Sequence, residues 1–164
     1  MSLRILVSDL LGDPGASRTE AVSLALNVSL TNAAVAGDVD VTVSLRSLSD
    51  GIVARGVAVV DAELTCNRCL ENWSERLEVP FEQVFRHRPQ DEDDEQPIEK
   101  GGWIDLEPAV HDEVTVSLPL VPLCRPDCRG LCPTCGANLN DDPCDGHAEP
   151  PDSPFAVLQE LFDD

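Results

Sequence analysis

The residues best suited to chemistry in this chain are its cysteines, most of which occur in closely spaced pairs. The 164-residue chain contains seven cysteines, and a histidine follows the last of them. The candidate metal ligands are Cys66, Cys69, Cys124, Cys128, Cys132, Cys135, Cys144 and His147. A Cys-x-x-Cys turn places two thiolates on one tight loop, at the separation that a tetrahedral metal ion requires. The sequence therefore predicts structural metal sites, with zinc as the expected ion.

Other uses of these thiols fit the sequence less well than zinc. Disulfides require an oxidising compartment, but no apolar signal core follows Met1 and an odd number of cysteines suits disulfides poorly. A thioredoxin-type redox pair opens a helix, whereas strand-like sequence follows Cys69. Iron–sulfur ligation stays open as an alternative, because thiolates do not select zinc uniquely.

Eight ligands divide into two tetrahedral sites. Cys66 and Cys69 would close the first site with Cys124 and Cys128, and so join two distant parts of the chain. The remaining four ligands would close a compact second site of the zinc-ribbon kind. Two zinc ions per chain are expected. A full set of soft ligands favours closed structural sites over a catalytic zinc, and no hydrolase, zinc-protease or phosphate-loop motif is present, so we expect no enzymatic activity.

Charge limits the class of partner. The chain carries 31 acidic and 11 basic residues, a net charge of −20. Lys and Arg contacts to phosphate supply most nonspecific affinity for nucleic acids, so we expect any contact with RNA to be indirect. A basic ribosomal or rRNA-binding protein is the predicted partner, with solubility alone as the alternative role of the charge. Arg68, Arg125 and Arg129 lie beside the ligands, where they could balance thiolate charge or contact RNA phosphates.

The elements that must position these ligands are mainly strands. Apolar residues alternate with small or polar ones from Val22 to Leu30 and from Val39 to Leu45, and long strands are predicted over 52–65 and 73–85, the latter broken at Pro80. The predicted fold is mainly β (α+β), an antiparallel twisted sheet or partly closed barrel with a helix and a zinc-ribbon-like Cys-rich module.

The remaining elements complete two predicted domains. Residues 1–123 form a β-rich domain with a solvated acidic loop at 88–100 and a helix at about 105–117, and residues 124–164 form the Cys-rich zinc module with a terminal helix. Ser153 would cap that helix, and its face of Phe155 and Leu158 could dock on a partner. No apolar run reaches the ~20 residues of a membrane span, so a cytoplasmic protein is predicted.

Several motifs together resemble the YceD family. They are Cys66-Asn67-Arg68-Cys69-Leu70, Ile104-Asp105-Leu106, Leu118-Pro119-Leu120-Val121-Pro122, the segment from Cys128 to Gly136, and Pro154-Phe155-Ala156-Val157-Leu158. The resemblance implies a bacterial cytoplasmic protein needed for accumulation of large-subunit (23S) rRNA, with chloroplast relatives in rRNA processing and no known enzymatic activity. Many members have Cys-Asp-Cys near the end. Here Cys144-Asp145-Gly146-His147 stands instead, with histidine as the fourth ligand.

Two other functions are compatible with the sequence. A direct RNA-binding zinc module would use the arginines beside the ligands. An RNA-processing enzyme would need a cluster of carboxylates on a metal, for which residues 91–95 are the only dense candidate, in a stretch that reads as a loop.

Overall fold

The computed structural model describes residues 3–89, 95–141, 144 and 146–147. Within them the chain forms strands and one helix. The elements are β1 (Arg4–Leu6), β2 (Ser17–Ser29), β3 (Ala33–Ser47), β4 (Gly51–Thr65), β5 (Asn72–Arg86), β6 (Glu95–Pro97), β7 (Trp103–Asp105) and α1 (Glu107–Ser117). The predicted mainly β fold is confirmed for this part of the chain.

The main sheet has the order β2-β3-β4-β5-β6. Its four long strands form an antiparallel meander, and the short β6 runs parallel to β5. The sheet does not close, because β2 and β6 each pair on one side only among the described residues. The predicted partly closed barrel is therefore wrong, and the open sheet is correct. β1 pairs with β7 in a separate two-stranded ribbon.

Strict alternation explains the meander. In β3 the side chains of Val39, Val41, Val43 and Leu45 are at most 1% exposed, while their neighbours face solvent. Successive side chains of a strand point to opposite faces, so this pattern buries one face of the sheet, here called the inner face, and leaves an outer face in water. The β3–β4 register shifts between Val35 and Asp40, as in a β-bulge.

Strand β5 continues past Pro80, contrary to the predicted break. Cys66 N–H donates to the Glu71 carbonyl at 2.9 Å, so the odd-numbered residues of β5 hydrogen-bond to β4 by the antiparallel alternation. Pro80 is even-numbered and opposite Val57, and its missing N–H would point away from β4. Since β6 pairs only with Val84–Arg86, the proline costs no ladder hydrogen bond.

Helix α1 covers part of the inner face. It begins at Glu107 rather than Asp105, because Asp105 belongs to β7 and its carboxylate accepts a hydrogen bond from the Glu107 N–H at 3.0 Å. Val110 and Val114 are fully buried, and the helix contacts both β5 and β2. Each buried valine contributes roughly 1.5–3 kcal/mol of burial free energy.

Some predictions fall partly or wholly outside the described residues. The predicted terminal helix lies there, as do residues 90–94 of the acidic loop. The rest of that loop is more ordered than predicted, because Glu95 pairs with Arg86 and opens β6. The domain division at residues 123 and 124 stays a prediction. Within the described part of the chain, no helix combines the length and apolar content that a membrane span requires.

Candidate metal centres

The first ligand pair sits where β4 turns into β5. The Leu70 N–H donates to the Cys66 carbonyl at 3.0 Å, which closes a tight loop over Cys66 to Cys69. Leu70 completes the loop with a left-handed φ of 60°, a conformation that costs free energy for a non-glycine residue. This strained residue ends the loop that holds the thiols of Cys66 and Cys69 close together.

The second pair arrives from the chain after α1. The Asn67 N–H donates to the Pro122 carbonyl at 2.9 Å, and the Cys128 N–H donates to the Arg125 carbonyl at 3.1 Å in a turn that brings Cys124 and Cys128 together. The Arg68 guanidinium donates to the Cys128 carbonyl at 2.8 Å. Backbone and side-chain hydrogen bonds thus connect the loop of Cys66 and Cys69 to the segment that carries Cys124 and Cys128.

The four sulfurs surround one point, which we call centre 1. Sγ of Cys66 lies 3.8 Å from Sγ of Cys128, and Sγ of Cys69 lies 3.5 Å from Sγ of Cys124. A tetrahedral ion with metal–sulfur bonds of ~2.3 Å holds its sulfurs ~3.8 Å apart, whereas a disulfide brings them to ~2.0 Å. All four ligand atoms lie within 4.8 Å of one another, so the cage fits a single ion and the thiols are free of disulfides.

Backbone amides favour thiolates at centre 1. Burial opposes ionisation of Cys66, but the backbone N–H groups of Cys124, Cys69 and Arg68 outweigh it and lower its pKa to about 6. Burial likewise opposes ionisation of Cys128, whose pKa is nevertheless lowered by hydrogen bonds, the side-chain amide of Asn140 foremost.

The thiol of Cys124, in contrast, resists ionisation. Burial, together with hydrogen bonds to the neighbouring sulfurs, raises the pKa of Cys124 to about 12. Four thiolates this close repel one another, and a bound divalent cation would reverse that balance by stabilising all four. The four sulfurs of centre 1 therefore form a site that a bound cation would stabilise.

Centre 2 comprises Cys132, Cys135, Cys144 and His147, whose ligand atoms also lie within 4.8 Å of one another. Its first pair occupies a tight turn in which the Gly136 N–H donates to the Cys132 carbonyl at 2.9 Å. Backbone N–H groups of Cys135 and Thr134 lower the pKa of Cys132 to about 6 against the effect of burial. Cys132 is buried, but Cys135 and His147 are exposed, so this centre is more open to solvent than centre 1.

The structure brings the eight candidate ligands together in the two groups that their spacing indicated. Either group could hold a metal ion. Thiolate and imidazole donors suit zinc and other thiophilic ions, and the zinc assignment stays a prediction.

Two residues that are not ligands support centre 1. The Asn140 side-chain amide donates to the Cys128 sulfur at 3.4 Å, and its carbonyl oxygen accepts from the Arg129 N–H at 2.8 Å. Gly130 has a φ of 77°, and a Cβ there would lie 3.0 Å from the Arg68 carbonyl oxygen. Gly130 stands in the Cys-rich motif itself, whereas no spacing rule marks Asn140.

The three arginines near the ligands differ in role. Arg68 is occupied by the carbonyl groups of Cys128 and Pro126, so it braces centre 1. Arg125 and Arg129 are exposed. Within the described residues neither has a carboxylate partner, in contrast to Arg18, Arg55 and Arg86 on the sheet.

The amino-acid sequence of the chain matches a known protein family. The family described as large ribosomal RNA subunit accumulation protein YceD matches residues 54–162. The chain belongs to the YceD family. The matched range contains all eight candidate ligands, β4 from Ala54 onward, and the whole of β5 and α1.

The chain is also similar to individual proteins from a bacterium and a plant. An uncharacterized protein of Mycobacterium tuberculosis is 33% identical over 128 residues, which cover 75% of this chain and 61% of the relative. The chloroplastic YCED homolog 1 of Arabidopsis thaliana, named as a large ribosomal RNA subunit accumulation protein, is 28% identical over 143 residues, or 68% of this chain and 43% of that protein. The chain thus spans about 61% of the length of its mycobacterial relative. No solved structure gives a significant match.

Proposed function

We propose that this protein is a non-enzymatic zinc-binding factor in large ribosomal subunit biogenesis, which supports accumulation or processing of 23S rRNA through a basic protein partner in the cytoplasm. The observation that carries the proposal is centre 1, in a chain of the YceD family. Four sulfurs from two distant segments converge there within 4.8 Å. The family's description supplies the link to large-subunit rRNA.

The geometry of centre 1 supports a structural ion. A catalytic zinc keeps one coordination position for water or substrate, whereas a structural zinc is closed by four protein ligands. Cys66, Cys69 and Cys128 are each at most 6% exposed, which leaves little access for a substrate. The ion would then clamp the β4–β5 hairpin to the chain after α1, and the protein would act by presenting a surface.

The charge of the chain supports a protein as the direct partner. A net charge of −20 repels RNA phosphates and attracts basic proteins. A protein that binds rRNA carries the Lys and Arg residues that contact phosphates, so it is a basic partner of this kind. Binding such a protein would promote rRNA accumulation without direct contact with RNA.

Direct RNA binding is the second candidate, and one observation favours it. Arg125 and Arg129 are exposed beside centre 1, and within the described residues no carboxylate neutralises them. If they contact phosphates, the purified protein binds RNA, and Arg125→Gln with Arg129→Gln reduces both the affinity and its dependence on salt. If the protein captures a basic partner and shows no salt-sensitive affinity for RNA, this candidate is excluded.

The main proposal is tested by removing the protein from its host. We expect the ratio of large-subunit to small-subunit rRNA to fall, and to be restored by the wild-type chain but not by Cys66→Ser. Arg46→Gln, on the outer face and away from both centres, serves as a folded control and should restore the ratio. An unchanged ratio in the deleted strain would contradict the proposed function.

A further inference from the structure

Strand β2 is an edge of the main sheet. On the side away from β3, its backbone groups have no strand partner among the described residues. The Leu30 N–H donates to the Ala33 carbonyl at 2.8 Å, and the Ser47 N–H donates to the Ala16 carbonyl at 2.9 Å. Antiparallel pairs alternate between bonded and non-bonded residues, so the even-numbered residues of β2 bond to β3. The odd-numbered residues point their N–H and C=O groups away from the sheet. Within the described residues no strand pairs with this side, here called the free edge.

The free edge lacks the features that usually protect an edge strand. Natural sheets blunt their edges with proline, charged side chains or bulges. Between Ala21 and Ser29 the strand has no proline and no charged residue. Its register with β3 runs without a shift, and the bulge lies on the other side of β3. These nine residues offer ~30 Å of regular strand for pairing.

Two unneutralised carboxylates flank the free edge on the outer face. Asp40 is opposite Ser23 and Asp38 is opposite Ala25 in the β2–β3 register. Both aspartates are exposed, and neither forms an ion pair among the described residues. A shallow concavity of about 310 Å³, lined by Ser23, Asp40 and Thr42 among others, lies at this position.

The distances suit a long cationic side chain. A strand added to β2 would lie ~4.8 Å from it and ~9.6 Å from β3. Ser23 and Ala25 are small, so a lysine or arginine on the added strand can reach over them to Asp40 or Asp38. Alternate residues of the added strand face the other way, toward the apolar inner face.

The inner side of the edge is apolar. Leu24, Leu26 and Val28 are each at most 4% exposed, and Val22 and Leu30 are half-buried at the rim of the core. Apolar residues of an added strand would extend this layer. The two sides of the edge together define a complementary sequence in which apolar residues alternate with Lys or Arg.

We propose that the free edge of β2 binds an extended segment of a basic protein, which adds a strand to the sheet with its cations over Asp38 and Asp40. This inference rests on the proposed function in one respect, namely that the partner is a basic protein. It adds the docking site and the conformation of the bound segment. Such strand addition draws its affinity from main-chain hydrogen bonds and its specificity from alternate side chains.

The other occupants within reach are less well matched. A second copy of β2 would present small neutral residues at its odd positions, so it would leave Asp38 and Asp40 without cations, and two chains of charge −20 would repel each other. Residues 148–164 of the same chain contain no Lys or Arg. Only a basic segment neutralises the two carboxylates.

The direct test is amide hydrogen exchange on the full chain with a synthetic nine-residue peptide of alternating lysine and valine. In the free protein we expect slow exchange at the even amides Leu24 and Leu26 and fast exchange at the odd amides Ser23 and Ala25. The peptide should slow exchange at Ser23 and Ala25, while an alternating glutamate and valine peptide should not. Odd amides that are already slow in the free protein, or that stay fast with the lysine peptide, overturn the proposal.

Variants separate strand addition from general charge attraction. Ala25→Pro removes an N–H that β3 does not use, so the variant should keep its circular dichroism spectrum and bind the lysine peptide at least tenfold more weakly. Asp38→Asn with Asp40→Asn should weaken binding roughly fivefold at low salt. Glu63→Gln with Glu78→Gln removes the same charge from β4 and β5 and should weaken it less than twofold. Equal losses in the two double variants overturn the proposal, and this comparison decides the matter even if Ala25→Pro does not fold.

Further outcomes identify a different occupant or a different failure. A dimer in sedimentation that Ala25→Pro dissociates would assign the edge to a second copy and overturn the proposal. If rRNA accumulation depends on the protein but the lysine peptide does not protect the odd amides, the edge proposal fails and the proposed function stands. If the peptide binds at β2 but rRNA levels do not depend on the protein, the proposed function fails and the edge stands.

Discussion

Replacing Cys66 with serine removes a ligand of centre 1 while leaving the shape of the core nearly unchanged. The Cys66 side chain is fully buried, its sulfur lies 3.8 Å from that of Cys128, and it accepts a hydrogen bond from the Arg68 N–H at 3.4 Å. A serine hydroxyl fits this space but is a far weaker ligand for a thiophilic ion. A loss of stability in this variant therefore reports mainly on the metal.

The expected loss is large. Structural zinc contributes apparent free energies of ~10–16 kcal/mol in small peptides, but the core of the sheet and α1 is a separate cluster from centre 1 and is retained. We therefore expect a loss of at least ~4 kcal/mol, the range in which loss of a metal ranks among the known causes. At ~2–4 °C per kcal/mol for a chain of this size, the melting temperature falls by at least ~8 °C.

Thermal unfolding by circular dichroism and metal content by elemental analysis measure the two consequences together. Cys135→Ser serves as the matched control, because Cys135 belongs to the exposed centre 2. We expect each variant to lose one ion, with a decrease in melting temperature for Cys135→Ser less than half that for Cys66→Ser. An unchanged melting temperature in Cys66→Ser would refute a structural role for centre 1.

Three further predictions follow from the same geometry. Acid should destabilise the metal-free protein: the pKa of Cys66 and of Cys132 is lowered from 9.0 to about 6, so their thiolates contribute stability above pH ~9 that is lost as the pH falls through about 6. Thermal unfolding of the chelator-treated protein over this pH range checks this, and a melting temperature that does not change with pH would contradict it. A chelator should remove one ion quickly and the other slowly, because Cys135 and His147 are exposed whereas Cys66 is fully buried; a single rate for both ions would count against the difference between the centres. Gly56→Ala should destabilise the fold by about 1–3 kcal/mol in denaturant unfolding, because the new Cβ would lie 2.5 Å from the Thr42 carbonyl oxygen and 2.6 Å from the Phe81 ring; unaltered stability would show that the sheet has room there.

The features that could be predicted from the sequence are those encoded locally. Alternation from Val39 to Leu45 marks a strand within a single window, because the period of two belongs to the strand itself. Each Cys-x-x-Cys turn likewise brings its own pair of thiols together. Four ligands per site still allow three groupings of the four pairs, and the closeness in sequence of Cys132 and Cys135 to Cys144 and His147 selects the grouping that the structure has.

The features that were missed depend on distant contacts. β1 pairs with β7, so Arg4 lies opposite Asp105, and no local pattern reveals a partner that far along the chain. β6 arises within an acidic segment because Arg86 binds Glu95, an ion pair that composition alone does not show. Pro80 does not break β5, and the sequence could not show this because the effect of the proline depends on which side of β5 lacks a neighbour.

Elemental analysis of the full chain, purified without chelator, tests the central claim most directly. Centres 1 and 2 each supply four ligand atoms within 4.8 Å of one another, so we expect two zinc ions per chain and no iron. One ion per chain would mean that one of the two centres does not close. A metal-free folded protein, or a coloured protein containing iron, would contradict the zinc-stabilised fold.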